Sequence, residues 1–311
     1  MNEFELIAAL SPSLASNSTV LTGAGDDCAV LDLGLPDRCL LFKTDAVVEG
    51  IHFNATARPE QIGRKALGRC LSDIAAMGGR PQSALITLAL PNGFDAKRIV
   101  AIYDGINALA RRFGVAIAGG ETTTNPERLL LSVAMLGDVP RGKAVLRSGA
   151  RAGDAIFVSG ELGGSILGRH LEFEPRVNEA QWLAGRFDIH AMIDISDGLV
   201  NDLRHILKAS ATGAELLAKS IPISRAARLH ARDNLNSGKT PLAAALGDGE
   251  DFELLFCAAS RDAVTLLDAW KAQFPNVRLT CIGKTTAEPG LKLRDKTGLH
   301  ELESHGYIHF A

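Results

Sequence analysis

Cysteine is scarce in this chain, basic charge is not in excess, and long apolar runs are missing; each shortage removes a class of function. The five cysteines, Cys28, Cys39, Cys70, Cys257 and Cys281, are odd in number, scattered and never spaced as CxxC. That speaks against a disulfide framework and a zinc site, and leaves buried free thiols as the expectation. A formal net charge of −3 with 22% charged residues lacks the basic surplus that nucleic acid or an anionic membrane would attract. No apolar run approaches the roughly 20 residues of a membrane span. The opening MNEFELIAAL carries Glu3 and Glu5 where a secretory leader would carry positive charge. The expectation is a cytoplasmic protein without a nucleic-acid or membrane partner. There is no GxxxxGK[ST], so a nucleotide would have to be held by something other than the usual phosphate-cradling loop.

What is present is ample length for a core: 311 residues, 46% of them hydrophobic, where domains of about 150 residues are the prior expectation. Short apolar runs at Cys39 to Phe42, Ala84 to Leu90, Val115 to Ala118 and Leu129 to Leu136 read as strands alternating with helical segments, hence α/β or α+β layering. From Ala96 to Phe113 the residues Ile99, Tyr103, Ile106, Ala110 and Phe113 recur at helical spacing. A second helix is expected from Pro59 to Met77, with Gly78-Gly79 as its stop. The glycine-rich stretch from Arg147 to Gly164 predicts a domain joint, dividing the chain into 1–148 and 149–311. Beyond it, His190 to Ile195 and Glu253 to Ala258 read as strands and Leu199 to Leu207 as a helix.

Acidic residues recur beside glycines and strand ends. Asp26-Asp27 follow two glycines; Asp45 follows the run Leu40-Leu41-Phe42; Glu121 follows Gly119-Gly120 and precedes Thr122-Thr123. Asp73 falls in the last turns of a helix, where a carboxylate meets the negative end of the macrodipole unless a cation lies near. Asp194, Ser196 and Asp197 come where a strand gives way to a helix, and Gly247-Asp248-Gly249-Glu250-Asp251 crowds acids between glycines. Singly, each has a plainer reading as polar turn, surface carboxylate or helix cap. Together they suggest hard oxygen ligands for divalent cations, most simply Mg²⁺.

The strings GDDCAV, KTDAVVEGIHF, LSDIAAMGGRP, GGETT, RSGARAGD, IDISDGLVNDL and GEDFELLF, with GYIHF near the end, resemble in kind and order those of the thiamine-monophosphate kinases, a family of the aminoimidazole ribonucleotide synthetase-like superfamily. The resemblance implies two mixed α/β domains, the N-terminal sheet forming a β-barrel with that of a second copy in a homodimer. It implies direct transfer of the γ-phosphoryl group of ATP to thiamine monophosphate, with several Mg²⁺ ions, in a cleft between the domains. Carried residue by residue, it assigns metals to Asp27, Thr44, Asp45, Asp73, Glu121, Asp194 and Asp197, with Lys43 contributing through its backbone. It assigns ATP to Arg147, Ser196, Gly120 and Tyr103, and the thiamine substrate to His52, Glu250 and Tyr307. Two positions depart from the family pattern: Glu121 stands where aspartate is usual, and Ser304 where an aromatic is frequent, which passes any stacking on thiamine to Tyr307 or Phe310. Selenophosphate synthetases are disfavoured because no cysteine lies in a suitable N-terminal loop. The alternatives are a silent nucleotide- or thiamine-phosphate-binding protein, or another ATP-dependent synthetase of the superfamily.

Overall fold

The computed structural model describes residues 3–234 and 239–302. The chain begins with helix α1 (Glu3–Leu10), followed by strands β1 (Val20–Thr22), β2 (Ala29–Leu31) and β3 (Arg38–Val48). Helix α2 (Pro59–Ala76), β4 (Arg80–Leu90), α3 (Ala96–Phe113), β5 (Ala116–Thr124) and β6 (Leu130–Pro140) complete a first sheet with order β1-β2-β3-β6-β4-β5. Its ladders are antiparallel except β4–β5, which α3 joins as a parallel crossover. Next come β7 (Ala155–Ser159), α4 (Val177–Arg186), β8 (Ile189–Asp194), α5 (Leu199–Ser210), β9 (Gly213–Leu217), α6 (Arg225–Asp233) and α7 (Pro241–Gly247). Strand β10 (Leu254–Ala258), α8 (Ala263–Gln273), β11 (Leu279–Thr286), β12 (Gly290–Arg294) and β13 (Leu299–Glu301) finish a second sheet of order β13-β12-β9-β11-β7-β10-β8. The chain divides into two compact units. One is Thr19–Ala144 with His170–Gln181; the other holds Val145–Arg169, the described residues from Trp182 on and the N-terminal segment to Ser18.

In the first unit, α2 starts on Pro59 at N1, with Gln61 bonding back to the Arg58 amide. Helix α3 is capped by the Asp95 carboxylate, which accepts from the Lys97 amide, and ends on left-handed Gly114. The two helices meet on glycines. A Cβ at Gly63 would lie 1.9 Å from the Ile102 carbonyl oxygen, and one at Gly105 would lie 2.0 Å from that of Glu60. This close crossing turns the buried face of α3 to Ile102, Gly105, Ile106, Leu109 and Ala110, and leaves Ile99, Tyr103 and Phe113 half-buried. The expected stripe missed that rotation because glycine carries no hydrophobic signal. Gly105→Ala should therefore lower unfolding free energy by about 2–3 kcal/mol, read from urea denaturation, while Gly185→Ala, with open space around it, should not.

The strands correct two expectations. Asp45 and Glu121 do not follow strands; both lie inside them, because β3 pairs with β6 without a break from Arg38↔Pro140 to Val48↔Leu130, and β5 stays paired to β4 as far as Thr124. Ladder bonds outweigh the local polarity of Lys43, Thr44 and Asp45. The second unit is built on a core of β7, β8, β10 and α5, including Ile156, Val158, Ile193, Leu203 and Leu255.

Candidate active-site residues in the two units

The ladder sorts the first unit's candidates by face. Asp45, Val133, Ile86 and Gly120 are successive cross-strand partners, and so are Ala46, Ser132, Thr87 and Glu121. Paired residues point to the same side of a sheet. Asp45 and Gly120 thus share the face on which α2 lies, as the Arg69 bond below confirms, while Glu121 and Thr44 occupy the opposite, open face. Both of these are exposed, and Thr44 lies 3.4 Å from the Ser132 hydroxyl. Gly120 has a packing role of its own, since a Cβ there would sit 1.8 Å from the Ile86 carbonyl oxygen.

On the α2 face a compact charge group forms. Asp27 and Asp73 are buried, at 2% and 7% exposure, and their carboxylate oxygens come within 4.8 Å of each other. Asp26 serves the turn, accepting from the Asp27 amide at 3.1 Å. The Lys43 Nζ lies 3.1 Å from Asp73 and is the cation that relieves this carboxylate at the end of α2. Burial alone would lower the Lys43 pKa; Asp73, Asp45 and Asp27 more than reverse that and hold it raised. Arg69 on α2 grips Asp45 with two nitrogens, at 3.0 and 3.3 Å. Burial and the neighbouring Asp73 push the Cys28 thiol well up, which keeps it neutral.

His52 occupies a tight turn after β3. Its Nδ1 accepts from the Val48 amide at 3.0 Å, so the neutral ring carries its proton on Nε2. Its carbonyl accepts from Lys65 Nζ at 2.6 Å, and the same ammonium lies 2.8 Å from His170 Nδ1. Tyr103 is half-buried on α3, and burial raises its phenol pKa.

In the second unit Asp194 ends β8 and is buried. Ser196 and Asp197 do not cap α5: its N-cap is Gly198, at φ 105°, without a side-chain cap bond. Instead the Asp197 amide donates to Asp202 Oδ2 at 3.1 Å. Asp202 is buried; burial, then the charges of Asp197 and Asp194, raise its pKa well above the usual carboxylate range, and Arg147 opposes that rise. Ile195 and Ser196 are zipped to the turn that holds Glu250: the Glu250 amide donates to the Ser196 carbonyl at 2.6 Å, Phe252 to Ile195 at 2.7 Å, and Ile195 to Glu253 at 2.8 Å. The structure thus draws Arg147, Asp194, Ser196, Asp197 and Glu250 into one neighbourhood. Tyr307, Ser304 and Phe310 lie outside the described residues.

Residues 25–139 match the family described as AIR synthase related protein, N-terminal domain, and residues 151–296 match its C-terminal domain. The sequence is 42% identical over 299 residues to the thiamine-monophosphate kinase of Rhodopirellula baltica, covering 93% of this chain and 92% of that one. The chain belongs to the thiamine-monophosphate kinase family. Among solved structures, AaThiL complexed with AMPPCP and TMP is similar with a TM-score of 0.83 at 30% identity, over 99% of this chain and 97% of the other. The thiamine-monophosphate kinase of Stenotrophomonas maltophilia K279a gives 0.74 at 35% identity, over 94% and 96%.

In this member of the thiamine-monophosphate kinase family, three residues not assigned a role by the resemblance hold the candidates in place: Lys65 the His52 turn, Arg69 the Asp45 carboxylate and Asp202 the Asp197 amide. The sequence offered a signal for two of them. Asp202 follows Asp197 at five, and Arg69 stands four residues before Asp73 on one helix, although the carboxylate it grips is Asp45, which the sequence does not show; a lysine or arginine inside an amphipathic helix reads as solvated, which hides Lys65 entirely.

Proposed function

We propose that this chain transfers the γ-phosphoryl group of ATP to thiamine monophosphate, giving thiamine diphosphate and ADP. The observation that carries the reading is the burial of Asp27 and Asp73 side by side, in a group where, with Asp45, three carboxylates meet only the two cations Lys43 and Arg69, a buried excess of negative charge that a bound cation would balance. In the second unit, Asp194 and Asp197 with Ser196 and Arg147 are the matching set. Closely spaced, buried carboxylate oxygens fit Mg²⁺. Two unit charges 4 Å apart repel by about 4 kcal/mol at an effective dielectric of 20, and bound Mg²⁺ would offset that repulsion between donor and acceptor phosphates.

The chain's residues would do the rest by position and charge. An acceptor phosphate oxygen forms the new bond to the γ-phosphorus as the bond to the bridging oxygen of ADP breaks. A phosphate monoester, with a second pKa of about 6, needs no strong base at neutral pH. His52 therefore serves as an Nε2–H donor to the substrate, and Glu250 as a carboxylate toward the cationic thiamine. Lys43 balances the acids, and Arg147 and Ser196 bind ATP. Glu121, on the open face, does not share the group around Asp73 within one chain. Incubation with ATP, Mg²⁺ and thiamine monophosphate, resolved by chromatography, should yield thiamine diphosphate; ATP binding without product would instead favour a silent binding protein.

The open face supports the homodimeric barrel. Phe42, Leu85 and Leu136 are exposed there, from β3, β4 and β6, and β5 is a sheet edge exposed along almost its whole length. Unpaired edges and apolar faces of this kind are covered by a partner strand or sheet. Light scattering should give twice the 33.0 kDa chain mass, and Leu85→Glu should reduce it to one chain. Among the described residues no helix is long and apolar enough to cross a membrane; the use of ATP suits a cytoplasmic enzyme.

A further inference from the structure

The turn that carries Glu250 is strained. Glu250 and Phe252 have φ of 53° and 51°, a left-handed backbone that is rare outside glycine and rarer still for a bulky aromatic. Such conformations persist where the surroundings over-determine them, and they concentrate at functional sites. Here the surroundings are specific. On one side, the three backbone bonds to Ile195 and Ser196 hold the turn. On the other, Asp251, 1% exposed, turns inward between the two strained residues and accepts from the Gly163 amide with both oxygens, at 3.1 and 2.9 Å. Two residues on, Glu253 is equally buried and accepts from the Ser159 hydroxyl at 2.7 Å.

One guanidinium joins these two buried carboxylates. Arg169 donates to Asp251 Oδ1 at 2.8 Å and to Glu253 Oε1 at 3.1 Å. It also reaches the carbonyl of Glu161 at 3.0 Å and that of Asp251 itself at 3.3 Å. Nη1 serves Glu253 while Nη2 is shared among Asp251 and the Glu161 carbonyl, a planar two-pronged reach that a lysine ammonium, a single point, cannot reproduce. Without it, two buried carboxyl groups would face each other with no cation between them, and the turn would lose the contact that holds it inward.

We propose that Arg169 is a positioning residue that locks the strained turn at Glu250–Phe252 against Ile195 and Ser196. It thereby sets where the Glu250 carboxylate receives thiamine monophosphate relative to the phosphoryl donor held at Ser196 and Asp197. This rests on the kinase reading above. Arg169→Ala, Arg169→Lys and Asp251→Asn are made in the full chain and compared with wild type for both KM values and for amide hydrogen exchange. Arg169→Ala should raise the KM for thiamine monophosphate about tenfold or more and that for ATP less than about threefold. It should also speed exchange at residues 195–198 and 249–253 together, and added methylguanidinium should restore part of the lost affinity. Arg169→Lys should fall between alanine and wild type. Unchanged KM values with unchanged exchange overturn the proposal, as does an equal loss toward both substrates that follows the folded fraction. If Arg169→Ala does not fold, Asp251→Asn decides: a selective rise in the KM for thiamine monophosphate supports the lock, and a wild-type value refutes it. A wild type that does not phosphorylate thiamine monophosphate sinks the kinase reading, while hydrogen exchange still tests the lock.

Discussion

Asp73→Asn should lower turnover of thiamine monophosphate by at least ~10³-fold and leave the fold standing. The two halves of that expectation come from one charge group. Asp27, Asp45 and Asp73 set three carboxylates against the two cations Lys43 and Arg69, so the first unit's site carries one negative charge in excess before any metal binds. Replacing Asp73 by its neutral isostere removes that excess and one of two adjoining carboxylate donors. The lost contact with Lys43 is compensated in part by relief of the repulsion from Asp27 and by the remaining Asp45, so unfolding should shift by no more than about 3 kcal/mol. Asp27→Asn should act alike. Paired readouts separate the roles: chromatographic turnover across a Mg²⁺ titration, and thermal unfolding of the metal-free protein. Near-wild-type turnover in both variants would remove the metal assignment.

Asp45→Asn is a sharper comparison because Arg69 already engages both Asp45 oxygens. If Asp45 is a metal ligand, this grip must be shared or given up when the ion arrives. If it is a strut, the variant loses stability first and activity with it. The sequence could not distinguish these roles, since Arg69 declares itself only once α2 is laid across β3.

What the sequence made legible follows from period and from glycine. Helix α3 was readable from Ala96 to Phe113 by its helical period, and the structure brackets it with the Asp95 cap and left-handed Gly114, yet its buried face was misjudged because the contact is made by Gly105 and Gly63. The strand end at Asp45 was illusory: a polar triplet within a fully paired ladder looks like the close of a strand until its partner is known. The same ladder placed Glu121 away from Asp45, a relation set by strand order rather than by spacing along the chain. At the start of α5, a serine and an aspartate resembled a cap, whereas Gly198 caps the helix and the Asp197 amide is taken up by Asp202. Motif strings therefore found the acids; only tertiary pairing showed which face each one occupies and what holds it.

Lys65 is the extreme case, and it yields the second large effect. Its side chain is 0% exposed, although nothing in α2's sequence marks this lysine as internal. A buried ammonium is costly unless its donors are taken up, and two of them are: by the His52 carbonyl at 2.6 Å and by His170 Nδ1 at 2.8 Å. The acceptor role fixes the neutral His170 ring with its proton on Nε2, as the Val48 amide does for His52. Lys65→Met keeps the length and apolar stem but withdraws the charge-assisted bond from the His52 turn. Bonds to charged groups contribute about 1.5–3 kcal/mol, so kcat/KM for thiamine monophosphate should fall roughly 10- to 100-fold, with little change in the KM for ATP. Stability can move either way, because removing a buried charge relieves desolvation as it breaks the bonds; the substrate-selective loss is what separates holding His52 from merely filling space. An equal fall toward both substrates, or none, would show that the His52 turn keeps its shape without the lysine.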